Sequence, residues 1–210
     1  MAHIVHVLKW YPPAIGGIER VAEFCAETAR RAGHDVTVLV SAKDAQPPGR
    51  TVTPSGVVVE RLPSWGIVNS MPISMGLPFA LHRTVRTADL VHFHEPYPHA
   101  TLWLWLLPAP RRLVTTWHGD ILRQKRLKPY AEWLQCKLAD RTDALVTTSN
   151  RMAPGSNVLR RYASKLKIVP FMIDMAPRMA SNGAMSFMID MAPFDAIRGI
   201  PERIAATRRK

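Results

Sequence analysis

The stretch Leu8-Lys-Trp-Tyr-Pro-Pro-Ala-Ile-Gly-Gly-Ile-Glu-Arg20 joins an apolar strand to a helix through a glycine turn. Gly16 and Gly17 allow the backbone angles that such a turn needs and, lacking a Cβ, let a ligand approach the main chain. The following helix directs its unpaired N–H groups and the positive end of its dipole into the same space, which suits a phosphate group. Glu19 and Arg20 place charge beside it. A tight turn without a ligand is the alternative explanation.

The composition is that of a folded protein with an excess of positive charge. The 210 residues, 47% of them hydrophobic, suffice for one sizeable core or for one domain and an extension. The formal net charge of +12 favours an anionic partner, which could be nucleic acid, a membrane surface or a phosphorylated small molecule. Two distant cysteines, Cys25 and Cys136, do not make a disulfide scaffold, which fits a reducing cytoplasm. The N-terminus predicts a core strand rather than a signal peptide.

Seven short apolar segments alternate with helical segments along the chain. They are the strands predicted at 4–8, 36–40, 57–61, 90–94, 113–117, 145–149 and 166–170. This alternation predicts an α/β fold, a single-domain, Rossmann-like and doubly wound sheet of about seven strands that is mostly parallel. We interpret segment 42–54 as a loop, and 63–78 as an apolar loop or a short irregular helix over the end of the sheet.

Polar residues follow several of these strands at the edge where such sheets bind ligands. His94 and Glu95 follow the fourth strand, and His118 follows the fifth. Asp120 and Ser149 lie at the corresponding ends of the fifth and sixth strands. We therefore predict that these residues converge with the glycine turn into one binding site.

His118 is the residue of this set to which the sequence assigns chemistry. Gly119 lets it present both its ring and its carbonyl to a ligand, and a histidine there can donate to a sugar hydroxyl or transfer a proton. An ordinary polar loop histidine is the alternative. Asp120 is expected to cap the following helix.

His92 and His94 form an incomplete metal-ligand pattern. They lie two apart on a strand, so both side chains point to one face, and Glu95 follows. A third ligand at close spacing is missing except for distant His118. We therefore predict no metal.

Segment 122–141 mixes basic residues, among them Arg123 and Lys125, with aromatic residues such as Tyr130 and Trp133. The pattern fits an anionic bilayer surface or, equally, the solvated face of a core helix. Nucleic acid is not expected, because no helix-turn-helix, zinc-finger or RNA-recognition pattern accompanies the charge.

A repeat marks the end of the chain. Phe171-Met-Ile-Asp-Met-Ala-Pro177 recurs letter for letter as Phe187-Met-Ile-Asp-Met-Ala-Pro193. Only one copy can follow the seventh strand. We therefore predict a Rossmann-like domain at 1–177, followed at 178–210 by a duplicated segment and basic tail that form a linker or are disordered.

In order, these stretches resemble the N-terminal, acceptor-side domain of a GT-B glycosyltransferase of the retaining, family-four type. The motifs that carry the resemblance are Lys9-Trp-Tyr-Pro-Pro, Gly16-Gly-Ile-Glu-Arg20, Val91-His-Phe-His94, Thr116-Trp-His-Gly-Asp120 and Val169-Pro-Phe-Met-Ile-Asp174. The resemblance implies that the glycine turn approaches the donor phosphates and that His118 contacts the transferred sugar. Met172 departs from the family's usual glycine. The resemblance ends at residue 177, and we expect no counterpart of the family's donor-binding second domain.

The resemblance implies the acceptor-binding half of an enzyme that transfers a hexose, such as mannose, to a lipid-linked or polysaccharide acceptor. The expected partners are a GDP- or UDP-linked sugar, a glycan or lipid-linked acceptor, an anionic membrane surface and a separate donor-domain chain. The half is expected to be inactive alone, without a cofactor, in the cytoplasm and peripheral on the inner face of the membrane. The alternative is a non-enzymatic remnant or binding module. A dinucleotide-binding oxidoreductase is disfavoured because Gly-x-Gly-x-x-Gly is absent after the first strand.

Two kinds of residue make up the predicted site. His118 is the predicted catalytic residue. The predicted substrate-binding residues are Gly16, Gly17, Glu19, Arg20, His94, Glu95, Asp120, Arg123, Lys125 and Ser149.

Overall fold

Strands that are buried along most of their length form the centre of the protein, as expected for parallel strands covered on both faces. The computed structural model describes residues 1–43, 46–120 and 127–169. Its strands are β1 (His3–Val7), β2 (Asp35–Ser41), β3 (Gly49–Val52), β4 (Val58–Leu62), β5 (Gly66–Val68), β6 (Met71–Ile73), β7 (Leu90–Glu95), β8 (Leu113–Trp117), β9 (Ala144–Thr147) and β10 (Leu166–Ile168). Its helices are α1 (Gly17–Arg31), α2 (Leu77–Thr87), α3 (Pro98–Leu106), α4 (Lys128–Arg141), α5 (Met152–Gly155) and α6 (Asn157–Arg161).

The main sheet has eight strands in the order β10-β9-β8-β7-β1-β2-β4-β3. All neighbours are parallel except β3, which runs antiparallel to β4 at the edge. This confirms the predicted α/β, mostly parallel, doubly wound sheet, and each of the seven predicted strands has its counterpart.

Two predicted loops contain strands. Segment 42–54, interpreted as a loop, holds β3, whose four residues are all exposed and therefore give no apolar pattern. Segment 63–78 holds the antiparallel hairpin of β5 and β6. Asn69 and Ser70 turn it with positive φ angles of 51° and 62°. Short exposed strands of this kind are set by hydrogen bonds to a neighbour rather than by burial, so hydrophobic periodicity does not detect them.

Helices cover the sheet by burying one stripe of each. In α1 the buried residues Val21, Ala22, Cys25 and Ala29 recur at intervals of one turn, and the helix packs on β1 and β2. Helices α2, α3 and α4 pack side by side in a second layer. Buried side chains of that layer and of the sheet, such as Leu81, Phe93 and Leu104, are worth about 1.5–3 kcal/mol each in apolar burial. No helix in the described part of the chain has the length and apolar character needed to cross a bilayer.

The topology fixes where a ligand can bind. From β1 the chain winds through α1 to β2 on one side, whereas from β7 it winds through α3 to β8 on the other. The direction of winding therefore reverses between the neighbours β1 and β7, and open α/β sheets bind ligands in the crevice at such a point. The residues that follow β1, β7, β8 and β9 lie along this edge. Residues 170–210, which carry the repeat and the predicted boundary at 177, and 121–126, which carry Arg123 and Lys125, lie outside the described residues.

Candidate functional site

The glycine turn opens the site at the end of β1. Helix α1 starts at Gly17, with Gly16 as its N-cap, and no side chain of the described residues caps it. A Cβ at Gly16 would overlap the carboxylate of Glu19, whereas a Cβ at Gly17 would meet no atom within 4 Å. A side chain at Gly16 would therefore displace the carboxylate of Glu19. Gly17 leaves open surface beside the uncapped N–H groups, which is the arrangement that receives an anion.

Glu19 and Arg20 differ in their exposure. Glu19 is buried at 9% exposure. Arg20 lies on the exposed face of the helix and pairs with Glu23 at 2.8 Å. An exposed pair of this kind stabilises little and leaves the guanidinium directed away from the turn.

Four histidines on β1, β7 and the end of β8 form one cluster. His6 and His92 are partners in the register of β1 and β7. Nδ1 of His6 lies 3.2 Å from Nε2 of His94, and Nδ1 of His94 lies 3.1 Å from Nε2 of His118. Nε2 of His92 lies 2.7 Å from the hydroxyl of Thr116. A hydrogen-bonded chain thus runs from the buried middle of β1 to half-buried His118 at the sheet edge.

Burial keeps these rings neutral. It lowers the pKa of His6 to about 4 and that of His118 to about 4, because removal from water penalises the imidazolium. The pKa values of His92 and His94 lie well below the usual range, first through burial and then through neighbouring histidines. At neutral pH His118 is therefore a neutral hydrogen-bonding group and not a cation.

The histidine cluster also has the residue types of a metal site. One nitrogen each of His6, His92 and His94 lie within 4.8 Å of one another. A tetrahedral zinc with bonds of about 2.0–2.1 Å holds its nitrogen ligands about 3.3 Å apart. A metal would need the three rings to close on one point and the His6–His94 hydrogen bond to be given up. The hydrogen-bonded chain accounts for the cluster as it stands.

Glu95 supports the site from below. Its side chain is 1% exposed, and its carboxylate oxygens accept from the backbone N–H of Tyr97 and the hydroxyl of Thr101, both at 2.8 Å. Burial raises the pKa of Glu95, and the hydrogen bonds from Tyr97 and Thr101 and the charge of Lys9 oppose this shift. In the structure this predicted substrate-binding residue is buried, and its carboxylate holds the start of α3 through these hydrogen bonds.

Asp120 and Ser149 accept hydrogen bonds that stabilise the loops after β8 and β9. Oδ1 of Asp120 accepts from the indole N–H of Trp117 at 2.9 Å and from the hydroxyl of Ser156 at 3.0 Å. The described helix α4 begins at Lys128, and the helix start that Asp120 was expected to cap falls on residues 121–126, outside the described residues. The hydroxyl of half-buried Ser149 accepts from the N–H of Arg151 at 3.1 Å and closes a local turn.

Two residues of the site, His6 and Lys9, were not predicted from the sequence to be site residues. His6 counted only as part of a core strand, yet it is the one polar residue within Ile4-Val-His-Val-Leu8. A buried polar group needs a partner, and that rule would have indicated a second polar strand beside it. Lys9 appeared only as part of a motif. It is half-buried, and its charge interacts with both Glu95 and Glu19.

The fold is an open α/β sheet with polar residues gathered at the edge where such sheets bind ligands. The family model described as Glycosyltransferase Family 4 matches residues 15–176. The chain belongs to this family, as its motifs predicted.

Two curated relatives carry specific activities in their names. D-rhamnosyltransferase WbpZ of Pseudomonas aeruginosa is 29% identical over 172 residues, and O-antigen chain mannosyltransferase C of Escherichia coli is 26% identical over 172 residues. Each match covers 81% of this chain but only 45% and 46% of the relatives. The chain thus spans about half the length of the curated relatives it matches.

Solved structures share the fold. A sucrose-phosphate synthase from Thermosynechococcus elongatus matches with a TM-score of 0.58 at 16% identity, over 81% of this chain and 48% of that one. HepE of Anabaena, in complex with UDP and glucose, matches with a TM-score of 0.52 at 17% identity, over 80% of this chain and 44% of that one. The architecture is therefore that of a GT-B glycosyltransferase domain.

Proposed function

We propose that this chain is the acceptor-side half of a hexosyltransferase that builds surface polysaccharide or glycolipid. The donor is a nucleotide sugar, GDP- or UDP-linked, and the acceptor is a glycan or a lipid-linked sugar. The relatives named for D-rhamnosyl and O-antigen mannosyl transfer support the class of reaction, and HepE with bound UDP and glucose supports the class of donor. The observation that carries the proposal is the pairing of an uncapped glycine turn with half-buried His118 along one edge of the sheet.

The two ends of the site bind different parts of the nucleotide sugar. Gly17 and the N-terminus of α1 receive the diphosphate, because N–H groups and the helix dipole favour negative charge there. His118 contacts a hydroxyl of the hexose. Only β7 separates β1 from β8, and a strand spacing of about 4.8 Å puts their ends about 10 Å apart. A hexose linked to a diphosphate can span that distance.

His118 acts by orientation and hydrogen bonding rather than by charge. Its neutral ring donates or accepts at the sugar, and its amide donates to the carbonyl of Glu95 at 3.2 Å, which fixes the loop to the end of β7. Glu95 is in turn held by Tyr97 and Thr101. A group positioned by this rigid support contributes through pre-organisation, which is the largest saving available to a transferase.

The chain alone is not expected to transfer sugar. In a GT-B enzyme the reaction occurs in a cleft between two domains, and one domain leaves the diphosphate end open to water. Removal of a single transition-state hydrogen-bond donor can cost a factor of about 10² to 10³. The second domain of such an enzyme forms the other wall of the cleft and would supply several such donors.

The test is a radiolabelled transfer assay with GDP- and UDP-hexoses and lipid-linked acceptors. The full chain is assayed with and without a separately expressed donor domain from a family-4 relative. We expect transfer only from the pair, and His118→Ala should abolish it. Gly17→Val should lower the affinity for the nucleotide sugar while leaving the fold intact, because its side chain enters open space. Gly17→Ala is the graded control. Turnover by the chain alone, lost in His118→Ala, would overturn the inactive-half proposal.

A non-enzymatic binding module is the second candidate, because the chain spans about half of its relatives. Nucleotide-sugar binding to the pair without transfer to any acceptor would favour this candidate.

A further inference from the structure

A cleft of about 860 Å³ lies on one face of the main sheet, between helix α2 and the strands β3 and β4. Ligand sites in proteins commonly have volumes of about 300–1,000 Å³. Its polar lining includes His3, Thr37, Arg50, Glu60, Arg83 and Thr87. The cleft extends to the first residue of β1, whereas the crevice of the proposed function lies at the carboxyl ends of β1 and β7. It is therefore a separate place for a ligand.

The strand register places charged lining residues on the same face as part of the core. Leu39 of β2 lies opposite Glu60 of β4, and Glu60 lies opposite Arg50 of β3. Residues opposite each other in neighbouring strands share a face of the sheet. Leu39 is buried, Glu60 is half-buried and Arg50 is exposed. This face of the sheet therefore changes from apolar to charged toward its edge strand, β3.

The charges of Arg50, Glu60 and Arg83 do not balance within the cleft. Nη2 of Arg83 lies 2.6 Å and 2.8 Å from the two carboxylate oxygens of Glu60. The guanidinium of Arg50 forms no hydrogen bond or ion pair with another described residue, although Glu60 is its neighbour across the strands. Glu60 thus neutralises one of the two arginines. The other guanidinium keeps the planar set of N–H donors that binds phosphate through two parallel hydrogen bonds.

The carboxylate of Glu60 supplies a second kind of contact. A carboxylate has about four lone-pair sites, and Arg83 occupies two of them. The remaining sites accept hydrogen bonds from hydroxyl groups. Neighbouring strands are about 4.8 Å apart, so a group bound by Arg50 and a group bound by Glu60 lie about 5 Å from each other. One molecule of the size of a hexose phosphate spans that distance.

His3 gives one end of the cleft a fixed shape. Its Nε2 atom lies 3.1 Å from the hydroxyl of Thr37, and its Nδ1 atom lies 3.4 Å from the backbone carbonyl of Thr87. These contacts join β1 to β2 and to the end of α2. A cleft whose walls are joined in this way is formed before a ligand arrives, which lowers the entropy cost of binding.

We propose that this cleft binds a small phosphorylated polyol, such as a sugar phosphate, with the phosphate group on Arg50 and hydroxyl groups on Glu60. The negative charge of Glu60 repels an anion that has no hydroxyl groups to offer it. A neutral sugar leaves the charge of Arg50 unused. A ligand that carries both kinds of group uses both side chains, and it can bind while the crevice is empty or occupied.

The test is isothermal titration calorimetry of the full chain with glucose 6-phosphate, inorganic phosphate and glucose as separate probes. We expect glucose 6-phosphate to bind more tightly than either of the other two. Arg50→Gln should lower its affinity about tenfold, because a charge-assisted contact is lost. Arg86→Gln, on an exposed arginine of α2 outside the cleft, is the matched control and should change nothing.

Glu60→Gln separates the two contacts. It should lower the affinity for glucose 6-phosphate but raise that for inorganic phosphate, because it removes a negative charge beside two arginines. Gly17→Val, in the crevice, should leave both affinities unchanged. Thermal unfolding of each variant shows that it is folded.

Equal affinity of the unaltered chain and folded Arg50→Gln for glucose 6-phosphate would overturn the proposal. Binding that is lost in Gly17→Val would place the ligand in the crevice and overturn it too. Inorganic phosphate bound as tightly as glucose 6-phosphate would contradict the role of Glu60. With no binding of glucose 6-phosphate, Arg50 and Glu60 would be charges that only keep the edge strand β3 from pairing with another chain.

Discussion

Gly16 and Gly17 are adjacent in the chain, yet a side chain at each would meet different surroundings. The space beside Gly16 is filled by the carboxylate of Glu19, whereas that beside Gly17 is open. A side chain at Gly16 would therefore displace Glu19, whereas a side chain at Gly17 would enter open space. The two glycines look equivalent in the sequence, but a substitution at each would have a different physical effect.

We predict that Gly16→Ala destabilises the chain by about 1 kcal/mol and that Glu19→Ala suppresses the effect. The new Cβ displaces the Glu19 side chain, and in the double variant nothing needs to move. Urea unfolding of the two single variants and the double variant measures the coupling. Gly17→Ala is the matched control and should show no coupling to Glu19. Additive effects of Gly16→Ala and Glu19→Ala would contradict the assignment.

At the residue scale, prediction succeeded where a motif singled out a residue. It failed where the role of a residue depends on a contact with a distant part of the chain. His94 and His118 could be placed at strand ends from the sequence, and they meet at 3.1 Å. His6 could not, because its partner is 88 positions away and the sequence does not state which strands are neighbours. The contacts of Asp120 with Trp117 and Ser156 could not be predicted either, because Ser156 lies 36 positions away along the chain.

At the scale of elements, α4 supplies hydrogen-bond donors to the last carbonyls of α3. The guanidinium of Arg141, near the end of α4, donates to the carbonyls of Leu104, Trp105 and Leu107 at the end of α3. The last carbonyls of a helix lack partners within it, so a side chain from the neighbouring helix satisfies them. The contact therefore joins the C-terminal ends of the two neighbouring helices.

We predict that Arg141→Lys lowers the free energy of unfolding by about 1–2 kcal/mol, because a lysine cannot reproduce the planar fork of donors. Denaturant unfolding measures the change. Arg112→Lys, on an exposed residue, is the control for the loss of a guanidinium. Superimposable unfolding curves for the two variants would show that the capping contact adds no stability.

An aromatic patch, formed by Trp105, Tyr130 and Trp133, links the same two helices. The rings of Trp105 and Trp133 meet edge to face at 5.2 Å, and those of Tyr130 and Trp133 stack at 5.7 Å. Tyr130 is 56% exposed and Trp133 44%. Exposed aromatic rings beside basic residues such as Lys128 are typical of proteins that lie on a bilayer surface.

We predict that the chain binds anionic vesicles in a salt-sensitive manner, as expected for a lipid-linked acceptor at the inner face of the membrane. Replacing Tyr130 and Trp133 with serine should weaken cosedimentation with phosphatidylglycerol vesicles, and each basic residue near the surface should add about 1 kcal/mol. Trp65→Ser, on an exposed residue outside the patch, is the control. Equal binding to neutral and anionic vesicles would sink the membrane assignment.

Elements were predicted well where burial shaped the sequence and poorly where it did not. The parallel strands at the centre of the sheet are apolar because helices cover them, so their pattern is visible. Strands β3 and β5 are exposed, and only pairing with a neighbour defines them. Their positions depend on a register that local sequence does not encode.

At the scale of the whole molecule, the buried histidines make stability depend on pH. An unfolded histidine has a pKa of about 6.5, whereas the pKa of His6 is about 4 in the folded chain. Below pH 6.5 the unfolded chain binds protons that the folded chain does not, so stability falls as the pH falls toward 4. Above pH 6.5 these groups add no pH dependence. The raised pKa of Glu95 acts in the opposite sense and softens the fall at its acid end.

We predict that the free energy of unfolding is constant near pH 7 to 8 and falls below pH 6.5, with His6 alone removing about 3 kcal/mol by pH 4. Urea unfolding at a series of pH values measures it. His6→Leu should flatten the profile, and His82→Gln should not. A profile that is flat from pH 7 to 5 would contradict the buried, neutral state of the cluster.

The pairing of β1 with β7 also bears on how the chain folds. The contact between His6 and His94 closes a loop of 88 positions, which costs about 4 kcal/mol of chain entropy before any of its contacts form. Parallel pairings of such long sequence separation form slowly and late. The crevice therefore does not exist in any fragment that ends before β7, nor in a partly folded chain that has only β1, α1 and β2. Ligand affinity, once measured, therefore also reports on the pairing of β1 with β7, because a chain without this pairing lacks the crevice.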